Sequence, residues 1–578
     1  MKLYTNLTPY LRNRFQVGAL TLNSEWSHHK NDGTAMRRSA QFAASPSSFG
    51  TTTSILDSLL QASTSSALRS IATNSMSNKM ETNDTEWRLG QKVDWQKYTT
   101  WGDDYTLDFD GSVVSINRDN TNLYGLNFYQ SPTRQEGRDQ YREHDEHRYR
   151  YAIGGAYRFH LLSGLHFGSS YHYQQSYNST RSNLFKASWD IDELPSVTDF
   201  KRQKDFANSY TSRHYVQKHE AIPYVAYLQG QGQEQLMVSL EVRVAHLNER
   251  ECYQRGETDA NISRNYVLIE PNLQFSRTKG KWSWNANYAL KRNVPDIIQT
   301  IGYTDTSDPL RKELGNPDLK PSDKHAMRFS ITRILNDYSQ NISFMQSVNV
   351  MDRLIAESFA YDAGTGIYTY KPENVNGNWN SQTQLNVRKA IDRRNSLFVN
   401  STTRFSYFRN ADLAMLEGHS ESILSKVNNC LTEQDLNVEY QKGRFYMALT
   451  GNIAWNKVYR DGNDEYDVNA WNYSYGLSCR YSLPWEIKLS TNLKMYSRRG
   501  YEDHLLNSDD LVWNATITKS FFKGRFIAQI EGYDLLHQLN NVNYIVNAQG
   551  RTETWYRSLP HYVMAHLVYH WNKNPKKK

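Results

Sequence analysis

Residues 436–455 read LNVEYQKGRFYMALTGNIAW. Apolar or aromatic side chains stand at alternate positions on both sides of a short polar segment, at Leu436, Val438 and Tyr440, then at Phe445, Met447, Leu449, Ile453 and Trp455. A period of two indicates β-strands. The polar segment Gln441–Arg444 has the composition of a tight turn, with Gly443 where a positive φ is expected. The stretch therefore predicts a β-hairpin.

The strand from Phe445 to Trp455 has the length of a membrane crossing. At roughly 3.3 Å per residue and a tilt of about 40°, the strand spans roughly 25 Å along the membrane normal. This is the height of the apolar band on a transmembrane β-barrel. An aromatic residue stands at each end, as expected where rings meet the two membrane interfaces. We therefore assign the face that carries Leu449 to lipid.

The same alternation recurs along most of the 578 residues. Clear examples are Trp87–Trp95, Tyr105–Val113, Tyr149–Phe159, Leu236–Val244 and Trp485–Met495. The runs extend over about 10 to 16 residues, whereas strands of soluble sheets average about 5 to 6. No change of composition divides the chain, so we expect one barrel domain over residues 1–578.

Composition supports a barrel with a wet interior. The chain has 40 Tyr and 14 Trp, yet only 38% of its residues are hydrophobic, and the mean hydropathy is -0.75. Alternate residues facing water and lipid explain both features. No apolar run approaches the roughly 18 residues of a membrane helix. The net charge of +7 is spread along the chain without a basic stripe, so nucleic-acid binding has no support.

Short turns and long loops alternate along the sequence. Short turns are expected near 278–280, 336–337, 392–394, 441–444, 483–484 and 522–524. Outer-membrane barrels have short periplasmic turns and long extracellular loops. The fold class predicted is all-β: a transmembrane antiparallel up-and-down β-barrel of about 20 to 22 strands. Counting the alternating runs favours about 20, or about 21 if Tyr4–Leu11 forms one.

A long Ser-, Thr- and Ala-rich stretch, Asn31–Asn83, is expected to be a loop. Its apolar residues have helical spacing, at Ile55, Leu56, Leu59, Leu60, Leu68 and Ile71. We favour a small helix that packs this loop onto itself over a moving lid.

One segment is specific enough to suggest a family. Its residues are Gly315, Asn316, Pro317, Asp318, Leu319, Lys320 and Pro321. They resemble the segment of TonB-dependent outer-membrane receptors that leads from a long loop into a descending strand, although Ser322 stands where that family often has Glu. Residues 349–355 with 374–377, and 559–571 at the chain end, are similar to other parts of that barrel. Pro317 and Pro321 bias the residues before them toward extended backbone, so a structural role is predicted.

The resemblance implies a 22-stranded barrel in the outer membrane of a Gram-negative bacterium. An N-terminal plug closes such a barrel, and an inner-membrane TonB complex pulls on the plug to import a glycan, metal chelate or peptide. The sequence from Met1 to Asn6 opens without a signal-peptide core, and no plug or TonB-contacting box is matched. We therefore expect a chain truncated at its N-terminus. Its expected partners are outer-membrane lipid, an unknown imported ligand, a surface lipoprotein, and TonB only through the missing plug.

Catalytic, cofactor and metal sites are not expected, and ligand-binding residues are unknown. Consecutive ligands such as His144–His147 rarely converge on one ion, so we interpret them as a solvated charged loop. Asp461–Glu465 lacks the spacing of a calcium loop and is interpreted as a turn. Cys252, Cys430 and Cys479 are far apart and suggest neither a disulfide framework nor a zinc site.

Several alternatives remain at this stage. Tyr361, Tyr368 and Tyr370 could stack on a ligand, although packing within the loops is favoured. A plugless passive pore or surface scaffold is the alternative function. A soluble secreted β-protein is the least favoured reading.

Overall fold

The computed structural model describes residues 2–7, 10–13, 16–44, 46–50, 52–60, 66–99, 103–130, 134–189, 203–336, 339–362, 364–414, 423–460, 463–501, 507–522, 524–538, 542–547, 550–555 and 561–570. These residues lie mainly in long β-strands. The bounds of the strands follow in chain order.

The described strands are β1 (Lys2–Leu7), β2 (Tyr10–Asn13), β3 (Gln16–Phe42), β4 (Ala72–Tyr98), β5 (Asp104–Phe128), β6 (Arg134–Leu162), β7 (Leu165–Trp189), β8 (Tyr210–Gln231), β9 (Glu234–Arg255), β10 (Thr258–Lys279), β11 (Trp282–Asn293), β12 (Thr304–Asp308), β13 (Arg311–Leu314), β14 (Ser322–Ile334), β15 (Asn341–Asp352), β16 (Leu354–Tyr361), β17 (Tyr368–Val375), β18 (Asn378–Ala390), β19 (Leu397–Ala414), β20 (Ile423–Lys442), β21 (Phe445–Arg460), β22 (Asn463–Leu483), β23 (Ile487–Arg499), β24 (Asp509–Phe521), β25 (Phe526–Tyr533), β26 (Val542–Asn547), β27 (Gly550–Trp555) and β28 (Tyr562–Tyr569).

The main sheet is an antiparallel meander that omits β12, β13, β16, β17, β26 and β27. From β2 onward each of its strands pairs with the next one along the chain, and β1 also pairs with β3. It contains 22 strands. Because β1 and β2 pair with successive parts of β3, they share one position, which leaves 21 positions among the described strands. The strand count and the up-and-down order agree with the sequence prediction.

The hairpin at residues 436–455 forms as predicted. Strands β20 and β21 pair from Lys442 opposite Phe445 onward. Gly443 in the turn has a φ of 58°, a backbone conformation that glycine adopts without strain. Of the other predicted turns, Asp337 and Lys523 lie outside the described residues.

The two faces of the sheet differ in polarity. Leu449 is 51% exposed and lies beside Val438 and Leu477 on the apolar face. Its neighbour Ala448 is 3% exposed and faces the other way. Aromatic rings of adjacent strands lie side by side at both ends of the apolar band. Measured between ring centroids, Phe445 is 6.4 Å from Tyr481 at one end and Trp455 is 6.2 Å from Trp471 at the other. These two rows are the predicted aromatic girdles.

The loop predicted over Asn31–Asn83 is wrong in its extent. Strand β3 continues to Phe42 and β4 begins at Ala72, so the loop is confined to residues 43–71. Beyond the apolar band neither face of a strand meets lipid, so the two-residue alternation disappears while the backbone ladder continues. The interpretation of His144–His147 as a loop is wrong for the same reason. These residues show no alternation of polar and apolar side chains, yet they lie within β6.

Two helices pack the remaining loop, as predicted. They are α1 (Thr52–Leu59) and α2 (Ser66–Ile71). Ile55, Leu59 and Leu68 are buried together with Ala72 at the start of β4. The chain also forms short 3-10 helices at Ser47–Phe49, Ile298–Thr300 and Pro484–Glu486. Across the described residues, no helix has both the length and the apolar character of a membrane span.

Candidate functional site

The two loops that follow β11 and β15 build a second sheet, which we call the cap sheet. It consists of β12, β13, β17 and β16 in that order. Strands β13 and β17 come from different loops and pair in parallel, which joins the two loops. The cap sheet is therefore one structural unit.

The cap sheet reaches strands that are distant in the meander. The amide of Asn74 on β4 donates to the Thr365 carbonyl at 3.0 Å, and that of Gln140 on β6 donates to the Ser307 carbonyl at 2.7 Å. Leu310 packs on a buried cluster of β4 and β5, formed by Met76, Leu126 and Phe128. Four strands, β7 to β10, separate β6 from β11 along the sheet. The sheet thus curves around the cap sheet, with its polar face inside and its apolar face outside.

An ion pair anchors the cap sheet to β9. The guanidinium of Arg255, which is 5% exposed, lies 2.6 Å from the Asp305 carboxylate. It also donates to the Ala207 carbonyl and the Asn208 side chain, each at 3.1 Å. Burial alone would raise the pKa of Asp305, but Arg255 and hydrogen bonds from Ser307 hold it below its usual value. Asp305 is therefore ionised near neutral pH.

Residues Gly315–Pro321 form the return from the cap sheet to β14. The buried side chain of Asn316 donates to the Pro372 carbonyl at 2.8 Å and accepts from the Asp318 backbone at 3.1 Å. The Asn374 amide both accepts from and donates to the Lys320 backbone, at 2.8 and 2.9 Å. A Cβ at Gly315 would lie 1.7 Å from the Ile301 carbonyl oxygen, so glycine alone fits. These contacts support a structural role for the motif.

We expect Asn316→Ala to loosen this return by about 1 to 3 kcal/mol, because it leaves the Pro372 carbonyl and the Asp318 amide without partners. Hydrogen exchange of residues 299–320 measures the effect. Asp318→Ala is the matched control, since its side chain is exposed and its backbone amide remains. Equal exchange in the two variants would contradict the structural role.

The three tyrosines considered for ligand stacking pack within the cap sheet. Tyr368 lies 4.8 Å from Tyr361 and 6.0 Å from Tyr370, measured between ring centroids. The Arg311 guanidinium lies 3.9 Å above the Tyr370 ring. The contacts agree with the favoured interpretation that these rings stabilise the loops.

The polar face carries two open depressions. Two cavities of about 760 and 630 Å³ share Lys92, Asp110 and Arg150. Nearby charges are paired, since the Glu220 carboxylate contacts both Lys218 and Arg243. Paired charges of this kind line part of the polar face.

Metal ligands are not assembled in the part of the chain that is described. No group of three or more His, Cys, Asp or Glu residues there is arranged to hold an ion. His144–His147 lie on a strand, so successive side chains face opposite sides. Asp461 and Gly462 of the other acidic segment lie outside the described residues.

The sequence did not reveal a pair of buried acidic side chains, Glu249 and Glu251 on β9. In the sequence, two acidic residues at alternate positions look like any water-facing part of a barrel strand. Only their burial in the folded chain distinguishes them.

Comparison with solved structures finds similar chains of low identity. The hemophore receptor HasR of Serratia marcescens is 10% identical, with 96% of this chain and 79% of that chain covered and a TM-score of 0.36. The copper transporter OprC is 12% identical, with 89% and 78% covered and a TM-score of 0.39. The siderophore receptor PirA of Pseudomonas aeruginosa is 10% identical, with 98% and 79% covered and a TM-score of 0.32. No curated protein matches.

Comparison with protein families is decisive. Residues 99–569, about four fifths of the chain, match the family described as "Outer membrane protein beta-barrel family". The match confirms the predicted β-barrel fold and the predicted location in the outer membrane of a Gram-negative bacterium. The matching family is thus one of membrane barrels and not one of enzymes. The chain belongs to the outer membrane protein beta-barrel family.

Proposed function

We propose that the chain is the barrel of a TonB-dependent receptor that imports a large nutrient by energised uptake. The observation that carries this proposal is the cap sheet, which bridges from β13 and β17 to β4, β6 and β9. A passive pore gains nothing from a structured sheet across its lumen, whereas a receptor requires a surface that a ligand engages before passage. The polar inner wall supplies the path behind that surface.

The lining of the two depressions favours a hydrophilic cargo. Cavities of several hundred Å³ lined by charged and amide side chains suit a glycan, a metal chelate or a peptide, and apolar compounds would find few contacts there. The proposal also requires a plug, a TonB complex that pulls on it, and a surface lipoprotein where the ligand needs capture.

Uptake in the native host tests the proposal. The gene is deleted, and entry of labelled glycans, peptides and iron chelates is compared with and without a protonophore. We expect the deletion to abolish entry of one large solute, and the protonophore to abolish the same entry in the wild type. Protonophore-insensitive entry of small solutes, together with a large steady conductance in planar bilayers, would identify a passive pore instead.

A further inference from the structure

The segment Asp296–Asp305, which leads from β11 into the cap sheet, follows the inner face of β9. At one end Asp305 is paired with Arg255 at 2.6 Å. In the middle the Tyr303 ring lies 5.9 Å from the Tyr253 ring. At the other end Asp296 is close enough to act electrostatically on Glu249 and Glu251. The segment therefore contacts β9 at Tyr253 and Arg255, buries its own Ile297, Thr300 and Ile301, and acts on Glu249 and Glu251 through the charge of the exposed Asp296.

Glu249 and Glu251 are buried without a cation. Glu251 is 0% exposed and Glu249 is 8% exposed. One carboxylate oxygen of Glu251 accepts from the Ser212 hydroxyl at 2.6 Å. The second oxygen, Oε2, of each glutamate is buried and has no hydrogen-bond partner. An ionised carboxylate in such a place is strongly disfavoured, so burial favours the protonated form of both glutamates.

The surrounding elements do not supply the missing charge. His214 on β8 has Nε2 3.9 Å from a Glu249 oxygen, but burial lowers its pKa, so it is neutral near pH 7. On β10, Arg264 stands opposite Glu249 in the ladder and Tyr266 opposite Leu247. Arg264 is only partly buried, and its charge acts on Tyr266.

The remaining groups around the two carboxylates act in opposite directions. The Arg213 backbone bonds to Glu251 and favours its ionised form. Asp296, on the segment itself, carries the same charge as the ionised glutamates and opposes their ionisation.

We propose that Glu249 and Glu251 form a proton-dependent latch that holds the segment Asp296–Asp305, and through it the cap sheet, against β9. When both glutamates are protonated, nothing repels Asp296 and the segment packs on the strand. When they ionise, each carboxylate gains by contact with water and repels Asp296. The segment then separates from β9 at this end, while Arg255 still holds Asp305 at the other.

The direction of the pH response follows from the buried state. Burial, with a smaller contribution from the Asp296 carboxylate, raises the pKa of both Glu249 and Glu251 to about 7. A carboxyl whose pKa is raised by packing contributes its full stabilisation at low pH and loses it as pH rises through the raised value. The pKa of Asp305 is lowered, so its pair with Arg255 persists across this range. The latch is therefore closed in mild acid and opens above about pH 7.

Distance measurement between two spin labels tests the latch. Cysteines replace Gln299, near the Asp296 end of the segment, and the exposed Arg250, which lies between Glu249 and Glu251 on β9, after serines replace Cys252, Cys430 and Cys479. We expect a narrow distance distribution at about pH 5.5 and a longer, broader one at about pH 8.5, with a midpoint near 7. The measurement needs neither ligand nor transport, so it is independent of the proposed uptake.

Two variants decide the outcome. Glu249→Gln with Glu251→Gln is expected to keep the narrow distribution at both pH values, while Glu234→Gln, an exposed control at the other end of β9, keeps the wild-type response. If the double variant does not fold, Asp296→Asn serves instead, because its side-chain oxygen can still accept from the Ile298 amide. It is expected to reduce the opened fraction at about pH 8.5 several-fold. A pH-independent wild type, or variants with the wild-type response, would overturn the latch.

Discussion

Leu449→Arg is expected to cost about 2 to 4 kcal/mol of barrel stability in a bilayer refolding assay, because it places a charge on the lipid face in the middle of the apolar band. The side chain is 51% exposed between Val438 and Leu477 on the neighbouring strands. No acidic residue stands beside it on that face to pair with the guanidinium.

Thr450→Arg is the matched control for this prediction. It introduces the same side chain at the same depth but on the polar face, opposite Asn437. There a guanidinium reaches water in the lumen, so we expect a cost near zero. A neutral Leu449→Arg beside a costly Ala448→Arg or Thr450→Arg would show that the two faces are inverted.

Arg255→Ala is expected to release the cap sheet from β9. The change removes a buried guanidinium that holds Asp305 and donates to Asn208. Breaking a buried pair by removing one partner typically costs about 3 to 5 kcal/mol, because the other charge remains buried and uncompensated. Cleavage by trypsin at Arg311 and Lys312, on β13, measures the release, and a faster rate is expected in the variant.

Two controls separate the ion pair from a general loss of stability. Arg250→Ala removes an exposed arginine from the outer face of the same strand and is expected to leave the cleavage rate unchanged. Adding Asp305→Asn to Arg255→Ala removes the uncompensated charge, so the double variant is expected to be cleaved more slowly than Arg255→Ala alone. Equal rates in wild type and Arg255→Ala would show that the pair does not anchor the cap sheet.

The regular part of the fold was accessible from the sequence. In a strand that crosses a membrane one face meets lipid and the other meets water, so polarity must change at every residue. Leu449 and Ala448 show the result, one exposed to lipid and one turned inward. The order of the strands was also predictable from the sequence, because neighbours along the chain are neighbours in an up-and-down sheet.

Prediction failed where that constraint ends. The outer parts of β3 and β4 carry no alternation, because neither face meets lipid there, and the sequence is typical of a loop. The strands persist because their backbone groups are paired along the ladder from Val17–Tyr98 to Phe42–Ala72. The alternation of side chains therefore ends before the strands do.

The sequence by itself determined the membrane β-barrel, the face of each strand and the approximate number of strands, because these depend on a periodicity that solvent imposes locally. Tertiary structure alone decided the cap sheet and the buried glutamates. Asn74 and Thr365 are separated by 291 residues along the chain, and Arg255 and Asp305 belong to different sheets. Glu249 and Glu251 have an ordinary strand pattern in the sequence, and only the folded chain buries them. Contacts between distant segments have no local periodicity, so only the folded chain reveals them.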